Sequence, residues 1–209
     1  MKAYLISPPF EIKTFNKQIF EEISNNLDLE FFQLRPKYEN KRKNRIFIEK
    51  YHSQLFEICK NKKIKLIVND DIEIAKKLNL DGVHLGQNDT DCLEARNYLG
   101  KQFTIGISCG KSLNNALHAK KKGASYIALG PLFKSETKKT FRKKLSQEEF
   151  FEIRKNVNIP ITVIGGINHT NFYKLKILKP NNFAIISQIW NSSEGPISSS
   201  KKFYNLLQS

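Results

Sequence analysis

Four short strings of this sequence carry the charged and hydroxyl side chains that could do chemistry. They are Gln33–Lys37, Asn69–Asp71, His84–Asp89 and Gly130–Lys138. Each follows a short apolar run, where a β-strand is expected to end. Because the carboxyl ends of the strands in a parallel barrel meet at one face, the four strings would converge on one pocket. Their guanidinium, ammonium, carboxylate and hydroxyl groups form a set suited to a metal-bound pyrophosphate.

The first string offers two cations after the second predicted strand. Arg35 can hold an anionic oxygen through two parallel hydrogen bonds, and Lys37 adds a point charge. Two solvated charges after a strand are the plainer interpretation, and this string alone does not decide between them.

The second and third strings offer carboxylates. Asp70 and Asp71 with Asn69 could bind Mg²⁺, or one of the two aspartates could cap the following helix. Asp89 follows the next strand and supplies a carboxylate nearby, and Mg²⁺ is commonly held by one or two carboxylates plus substrate phosphates. His84 lies inside an apolar strand, which favours packing or substrate contact over metal binding.

Hydroxyl groups and glycines follow the sixth, seventh and eighth predicted strands. Ser135, Thr137 and Lys138 suit a phosphate-binding loop, although polar loops of this kind are common. The pair Gly165-Gly166 ends the seventh strand and Ser187 the eighth. Glycine lets backbone N–H groups approach a phosphate, and the loops after strands seven and eight are the usual phosphate site of a (β/α)8 barrel.

Eight short apolar runs alternate with amphipathic stretches and predict the elements that position these residues. Each run is rich in β-branched or aromatic residues and lacks proline, as buried parallel strands do. The predicted strands are Ala3–Ile6, Leu29–Leu34, Ile64–Val68, Gly82–Leu85, Thr104–Ile107, Tyr126–Leu129, Ile161–Ile164 and Phe183–Ile186. The predicted helices include Asn44–Asn61, Leu113–Lys122, Gln147–Lys155 and Pro196–Leu207. The pattern favours an α/β fold, a single-domain (β/α)8 TIM barrel over residues 1–209, with a doubly wound open sheet as the alternative.

Composition argues against a nucleic-acid or membrane partner. The net charge of +15 comes mostly from lysines spread along the chain, accompanied by abundant Asn and Ile, which is typical of AT-rich codon usage. No Arg-rich helix or aromatic RNA-binding motif is present, although a positive field would speed the arrival of phosphorylated substrates. We expect no membrane span and no signal peptide. The three dispersed cysteines predict reduced thiols in a cytoplasm.

The strings resemble, in order and nearly end to end, the thiamine phosphate synthases of the ThiE/TenI superfamily. The resemblance includes the motifs Asp81–Gln87, Gly106–Ser108, Gly130-Pro131, Ile164–Ile167 and the stretch Ile189–Pro196, as well as the strings above. It implies a (β/α)8 barrel that uses Mg²⁺. The implied reaction joins hydroxymethylpyrimidine diphosphate to a thiazole phosphate, giving thiamine phosphate and pyrophosphate by dissociative substitution.

The resemblance also implies roles for individual residues. The pyrimidine diphosphate would be held by Gln33, Arg35, Lys37, Asn69, Ser108 and Lys138. Within that set Arg35, Lys37 and Lys138 would be catalytic, because they assist the departure of pyrophosphate. Asp70 and Asp89 would bind Mg²⁺. The thiazole phosphate would be held by Ser135, Thr137, Gly166, Ile186 and Ser187.

Some positions depart from the family pattern, and alternative functions stay open. Lys134-Ser135 stands where Pro-Thr is common, and Leu178–Asn182 lacks the usual Ala-Gly-Ala turn. The alternatives are a TenI-type thiazole tautomerase, a non-catalytic regulatory barrel, and a basic nucleic-acid binder. The set of residues for Mg²⁺ and diphosphate favours coupling. The sequence leaves the oligomeric state open, and a homo-oligomer is compatible with it.

Overall fold

Eight parallel strands close into a barrel in the order β1 to β8, with β8 pairing back to β1. The computed structural model describes residues 1–134 and 143–209. The closed sheet confirms the predicted (β/α)8 fold, and the doubly wound open sheet is wrong. Within the described residues, no helix combines the length and the apolar character needed to cross a membrane.

The strands and helices alternate along the chain. The strands are β1 (Lys2–Ile6), β2 (Leu29–Leu34), β3 (Lys65–Asn69), β4 (Gly82–Leu85), β5 (Thr104–Gly110), β6 (Tyr126–Leu129), β7 (Ile161–Ile164) and β8 (Asn182–Ile185). The helices are α1 (Lys17–Asn26), α2 (Lys41–Asn61), α3 (Ile72–Lys77), α4 (Cys92–Leu99), α5 (Leu113–Lys121), α6 (Gln147–Asn156), α7 (Tyr173–Leu178), α8 (Ser187–Trp190) and α9 (Pro196–Gln208).

Several boundaries differ from the sequence prediction, and three of them have clear local reasons. Helix α2 begins at Lys41, three residues early, because the Asn40 side chain accepts hydrogen bonds from the first turn. Strand β5 continues to Gly110 through an irregularity after Ser108, which places Cys109 in a strand, beyond the predicted end at Ile107. Strand β8 ends at Ile185, so Ser187 begins helix α8 and does not end a strand.

The strands bury apolar side chains on both of their faces. The larger core lies between the strands and the surrounding helices, where Leu5, Phe32 and Val83 are fully buried. A smaller cluster of Tyr4, Ile6, Phe31, Ile67, Tyr126 and Ala184 fills the inside of the barrel. Burial on both faces explains why the strands read as near-continuous hydrophobic runs.

Strand register determines which residues face the interior. Asn69 lies opposite His84, His84 opposite Gly106, and Gly106 opposite Tyr126. Residues opposite each other in a ladder share a face, and Tyr126 belongs to the interior cluster. Asn69 and His84 therefore face the interior, and so does Ser108, which is two residues beyond Gly106.

Candidate active site

The ends of β2 and β3 hold an arginine in a fixed orientation. Asn69 Oδ1 accepts hydrogen bonds from Arg35 Nε at 3.1 Å and from Gln33 Nε2 at 3.3 Å. The Arg35 backbone N–H donates to Ser7 Oγ at 2.8 Å. Within residues 1–134 and 143–209, no group bonds the two terminal guanidinium nitrogens. These contacts orient the guanidinium while leaving its fork available to an anion.

Electrostatics link this arginine to a lysine and two carboxylates. Burial lowers the pKa of Arg35, while the charges of Asp70, Tyr4 and Asp89 act in the opposite direction. Repulsion from Arg35 is the main cause that lowers the pKa of Lys37, followed by burial. Two cations that destabilise each other in this way favour an anion between them.

The neighbouring aspartates Asp70 and Asp71 differ in their contacts. Asp71 caps helix α3 by accepting from the Ile74 backbone N–H at 3.0 Å. It also takes two hydrogen bonds from Arg45, at 2.8 and 2.9 Å. Asp71 is thus occupied by structure, and the helix-cap interpretation of the sequence holds for it and not for Asp70.

Asp70 instead lies with Asp89 at the carboxyl ends of the strands, which form the mouth of the barrel. Its φ of 63° is in the left-handed region, and its backbone N–H donates to the His84 carbonyl at 2.9 Å. Partial burial, a hydrogen bond shared with Asp89 and repulsion from that carboxylate raise the pKa of Asp70 to about 7. Asp89 Oδ2 accepts from the Gly86 backbone N–H at 2.6 Å.

Two crowded carboxylates form a donor set that suits a hard divalent cation. The described residues contain no group of three or more His, Cys, Asp or Glu side chains suited to a metal. Mg²⁺ does not need one, because substrate phosphates and water complete its octahedral shell. A cation between Asp70 and Asp89 would relieve the repulsion that raises the Asp70 pKa. The pair therefore fits Mg²⁺.

His84 connects the mouth of the barrel to its interior. Its Nε2 shares a hydrogen bond with Ser108 Oγ at 2.8 Å, and its Nδ1 shares one with the Tyr126 hydroxyl at 2.8 Å. The Tyr126 hydroxyl in turn lies 2.9 Å from that of Tyr4. Both ring nitrogens of His84 are occupied by hydroxyl groups, so the residue is not a metal ligand. Gln87 Nε2 donates to the Ser108 carbonyl at 2.7 Å.

The glycines after β7 pack against the loop after β6. Gly166 has a φ of 63°, and a Cβ added to it would overlap the Lys134 carbonyl and lie 2.9 Å from Phe133 Cβ. The Phe133 backbone N–H donates to the Gly165 carbonyl at 3.0 Å. Close approach to this loop therefore already explains the glycine at 166. Ser135, Thr137 and Lys138 lie outside the described residues.

Ile186 and Ser187 lie between β8 and α8, beside the end of β7. Ile164 of β7 is opposite Ala184 of β8, so the two strand ends are neighbours. Gln188 Nε2 lies 3.3 Å from His169 Nδ1, and the Ser199 hydroxyl donates to the Gln188 carbonyl. These contacts connect α8 to the loop after β7 and to α9.

Sequence reasoning missed Tyr4 and Tyr126. Both lie in predicted strands, where a tyrosine looks like ordinary core. One signal was available: Gly106 interrupts an apolar strand, and a Cβ there would overlap the Tyr126 ring. A glycine inside a strand often marks a close approach by another group.

The fold and this charge arrangement define a (β/α)8 barrel in which the cationic side chains of Arg35 and Lys37 lie at the carboxyl ends of the strands. The chain belongs to the thiamine monophosphate synthase family, whose model matches residues 3–189.

Relatives of known sequence and structure agree with this assignment. The thiamine-phosphate synthase of Pelagibacter ubique is 38% identical over 195 residues, which cover 92% of this chain and 90% of the relative. That of Clostridioides difficile is 36% identical over 196 residues, covering 93% and 90%. A thiamine phosphate pyrophosphorylase structure from Pyrococcus furiosus has a TM-score of 0.81 at 24% identity, covering 99% of this chain and 95% of its own. That last likeness supports the fold.

Proposed function

We propose that this chain is a transferase that joins hydroxymethylpyrimidine diphosphate to a thiazole phosphate, releasing thiamine phosphate and pyrophosphate. Family membership and curated relatives that bear the name thiamine-phosphate synthase support the activity. Small phosphorylated molecules are its proposed partners, and residues 1–209 are proposed to form one domain.

The observation that carries the proposal is the guanidinium of Arg35, oriented by Asn69 and close to the charges of Lys37 and Asp70. A guanidinium fixed by Asn69, with no partner for its two terminal nitrogens among residues 1–134 and 143–209, suits a diphosphate better than a neutral ligand. The same cluster favours coupling over thiazole tautomerisation, since the tautomerase reaction has no diphosphate to bind.

Residue roles follow from this cluster and from the family resemblance. We propose that the pyrimidine diphosphate is bound by Gln33, Arg35, Lys37, Asn69, Ser108 and Lys138. The thiazole phosphate is proposed to contact Ser135, Thr137, Gly166, Ile186 and Ser187. Arg35, Lys37 and Lys138 are the proposed catalytic cations, because they stabilise the charge that builds up on the leaving pyrophosphate.

Mg²⁺ is the proposed cofactor, with Asp70 and Asp89 as its protein ligands. When bound, it would neutralise part of the diphosphate charge and so make pyrophosphate a better leaving group. The protein's own contribution is to keep two carboxylates together at the mouth, with Gly86 donating to Asp89.

The proposed chemistry is dissociative substitution. The carbon–oxygen bond between the pyrimidine methylene and the diphosphate breaks. The negative charge on the departing pyrophosphate is stabilised by Arg35, Lys37 and Lys138. The resulting cation is stabilised by the electron-rich pyrimidine and its amino group, and the thiazole nitrogen captures it. A covalent enzyme route lacks a nucleophile among the three thiols: burial raises the pKa of Cys92, and it raises the pKa of Cys59 and Cys109 to about 12.

The activity is tested by mixing the purified chain with both substrates and Mg²⁺ and measuring thiamine phosphate by mass. Asp70→Asn should lower turnover by orders of magnitude. Asp71→Asn is the matched control, because it is the adjacent aspartate and serves the helix cap and Arg45. Absence of product from the wild-type chain, or full activity of Asp70→Asn, would refute the corresponding assignment.

The mechanism is tested by single-turnover kinetics with an electron-withdrawing substituent on the pyrimidine. Such a group destabilises the methylene cation, so the rate should fall severely while binding of the diphosphate is kept. A nearly normal rate, or a trapped pyrimidine–enzyme adduct, would exclude the dissociative route.

A further inference from the structure

Four polar side chains from four strands form one hydrogen-bonded chain across the inside of the barrel. In order they are Tyr4, Tyr126, His84 and Ser108, and the three heavy-atom distances are 2.9, 2.8 and 2.8 Å. Tyr4 and Tyr126 are buried among apolar side chains, and Ser108 is partly exposed. The chain thus leads from the sealed interior toward the mouth.

The hydroxyl partners of His84 limit how protons can be arranged along the chain. Each ring nitrogen of His84 faces a hydroxyl group, Nδ1 that of Tyr126 and Nε2 that of Ser108. A tautomer that accepts at one nitrogen and donates from the other uses both contacts. The hydrogen bonds then all run from Tyr4 toward Ser108, or all run the other way.

Counting protons separates the two directions. The Tyr4 hydroxyl has one partner among the described residues, the hydroxyl of Tyr126. If the chain ran from Ser108 to Tyr4, the Tyr4 proton would be buried without an acceptor, which is costly. If it runs from Tyr4 to Ser108, every buried donor is used, and only the Ser108 hydroxyl keeps an unassigned proton.

The position of Tyr126 is fixed by its surroundings. Gly106 on the neighbouring strand leaves the space that the ring occupies, since a Cβ there would overlap it. The ring stacks on Phe31 with centroids 4.9 Å apart, and on His84 with centroids 5.7 Å apart. A ring held on both sides keeps its hydroxyl directed at His84 Nδ1.

We propose that Tyr126 is a positioning residue: it donates to His84 Nδ1, His84 donates from Nε2 to Ser108, and the Ser108 proton is thereby reserved for an acceptor atom on the substrate. The last step of this inference rests on the proposed function, in which Ser108 contacts the pyrimidine diphosphate. The first two steps concern the protein alone.

The proton positions are measured by nitrogen-15 NMR of labelled histidine in the free protein. The chain has 4 histidines, and the His84→Gln variant identifies the His84 signals by their loss. We expect the proton on Nε2 and a bare, hydrogen-bonded Nδ1 near neutral pH. A proton on Nδ1, or on both nitrogens, overturns the proposal. The wild-type spectrum decides this once the His84 signals are assigned, and replacing the other histidines, His52, His118 and His169, one at a time gives the same assignment by elimination if His84→Gln does not fold.

A matched pair of tyrosine variants isolates the contact. Tyr126→Phe should move the Nδ1 signal toward that of an unbonded nitrogen. Tyr51→Phe is the control, because Tyr51 is also buried and its hydroxyl donates to the Phe15 carbonyl, outside the barrel interior. It should leave the His84 signals unchanged. An unchanged Nδ1 signal in a folded Tyr126→Phe variant overturns the proposal.

Binding of the pyrimidine diphosphate, measured by calorimetry with Mg²⁺, tests the final step. Ser108→Ala should weaken binding about tenfold, as loss of a hydrogen bond to a charged ligand does. Tyr126→Phe should weaken it less. The double variant should bind no more weakly than Ser108→Ala, because Tyr126 acts through Ser108. Additive losses overturn the proposal. If the wild type does not bind this ligand at all, the proposed function fails, while the NMR result still decides the proton positions.

Discussion

Replacing Asp70 with Asn should make the metal-free protein more stable at alkaline pH, while it removes a proposed Mg²⁺ ligand. Partial burial and the neighbouring Asp89 raise the Asp70 pKa to about 7 in the folded chain. Below about pH 4 the folded and unfolded chains both carry the proton. Between about pH 4 and pH 7 only the unfolded chain releases it, so the free energy of unfolding falls as pH rises, and above about pH 7 it changes no further.

The pKa difference sets the size of this effect. The rise from 3.8 to about 7 corresponds to at most about 4 kcal/mol of destabilisation above pH 7. Asp70 retains exposed surface, and solvent screening reduces the figure, so we expect about 1–2 kcal/mol. Asn also tolerates the left-handed backbone at this position, and that contribution does not depend on pH.

The assay is urea unfolding of wild type and Asp70→Asn with a chelator, at about pH 4 and about pH 8. The stability gained by the variant should be larger at the higher pH. Asp71→Asn is the control with the opposite sign. Although burial raises the Asp71 pKa, hydrogen bonds from Arg45 and the Ile74 N–H lower it overall, so this variant should lose stability, most at the higher pH. If Asp70→Asn is no more stable than the wild type, or if it gains the same stability at both pH values, the reasoning is refuted.

Three further predictions test the packing and the site. Gly106→Ala should lower the free energy of unfolding in urea by about 3 kcal/mol, because its Cβ would overlap the Tyr126 ring, and adding Tyr126→Leu should recover part of the loss. Gly166→Ala should lower the free energy of unfolding by about 2 kcal/mol, because the position has a left-handed φ and lies against the loop after β6. Ser187→Ala should keep the melting temperature and weaken only the binding of thiazole phosphate. Equal stability of the two variants would contradict this. Arg35→Lys should lower kcat/KM about 100-fold because the planar fork is lost, and a change of less than about threefold would argue against a diphosphate at this position.

The strands could be predicted because parallel strands of a barrel are buried on both faces and leave a clear apolar signal. Thr104 is where the fifth strand was predicted to begin, and it does begin there. Its end was missed, since the irregularity after Ser108 depends on pairing with the next strand. The start of α2 was missed because Asn40 looks like any polar loop residue until its side chain is seen to cap the helix.

The candidate site was predictable only in part. Gln33, Arg35 and Asn69 could be grouped because strand ends converge, and their side chains do meet. Asp70 and Asp71 are chemically identical in sequence, and only backbone conformation assigns one to the mouth and the other to the helix cap. The role of Gly166 cannot be decided from sequence either, because a bound phosphate and a neighbouring loop both require a position without a side chain.

The interior hydrogen bonds also connect the two halves of the barrel. Tyr4 and His84 belong to the first four strands, whereas Ser108 and Tyr126 belong to the last four. A polypeptide cut between β4 and β5 would give two fragments, neither of which could complete the chain alone. Each half would need the other to satisfy its buried hydroxyl groups, so fragment complementation should restore both the closed sheet and the His84 environment in a single step. The buried hydrogen bonds of the barrel interior thus favour assembly of the two halves in the correct register.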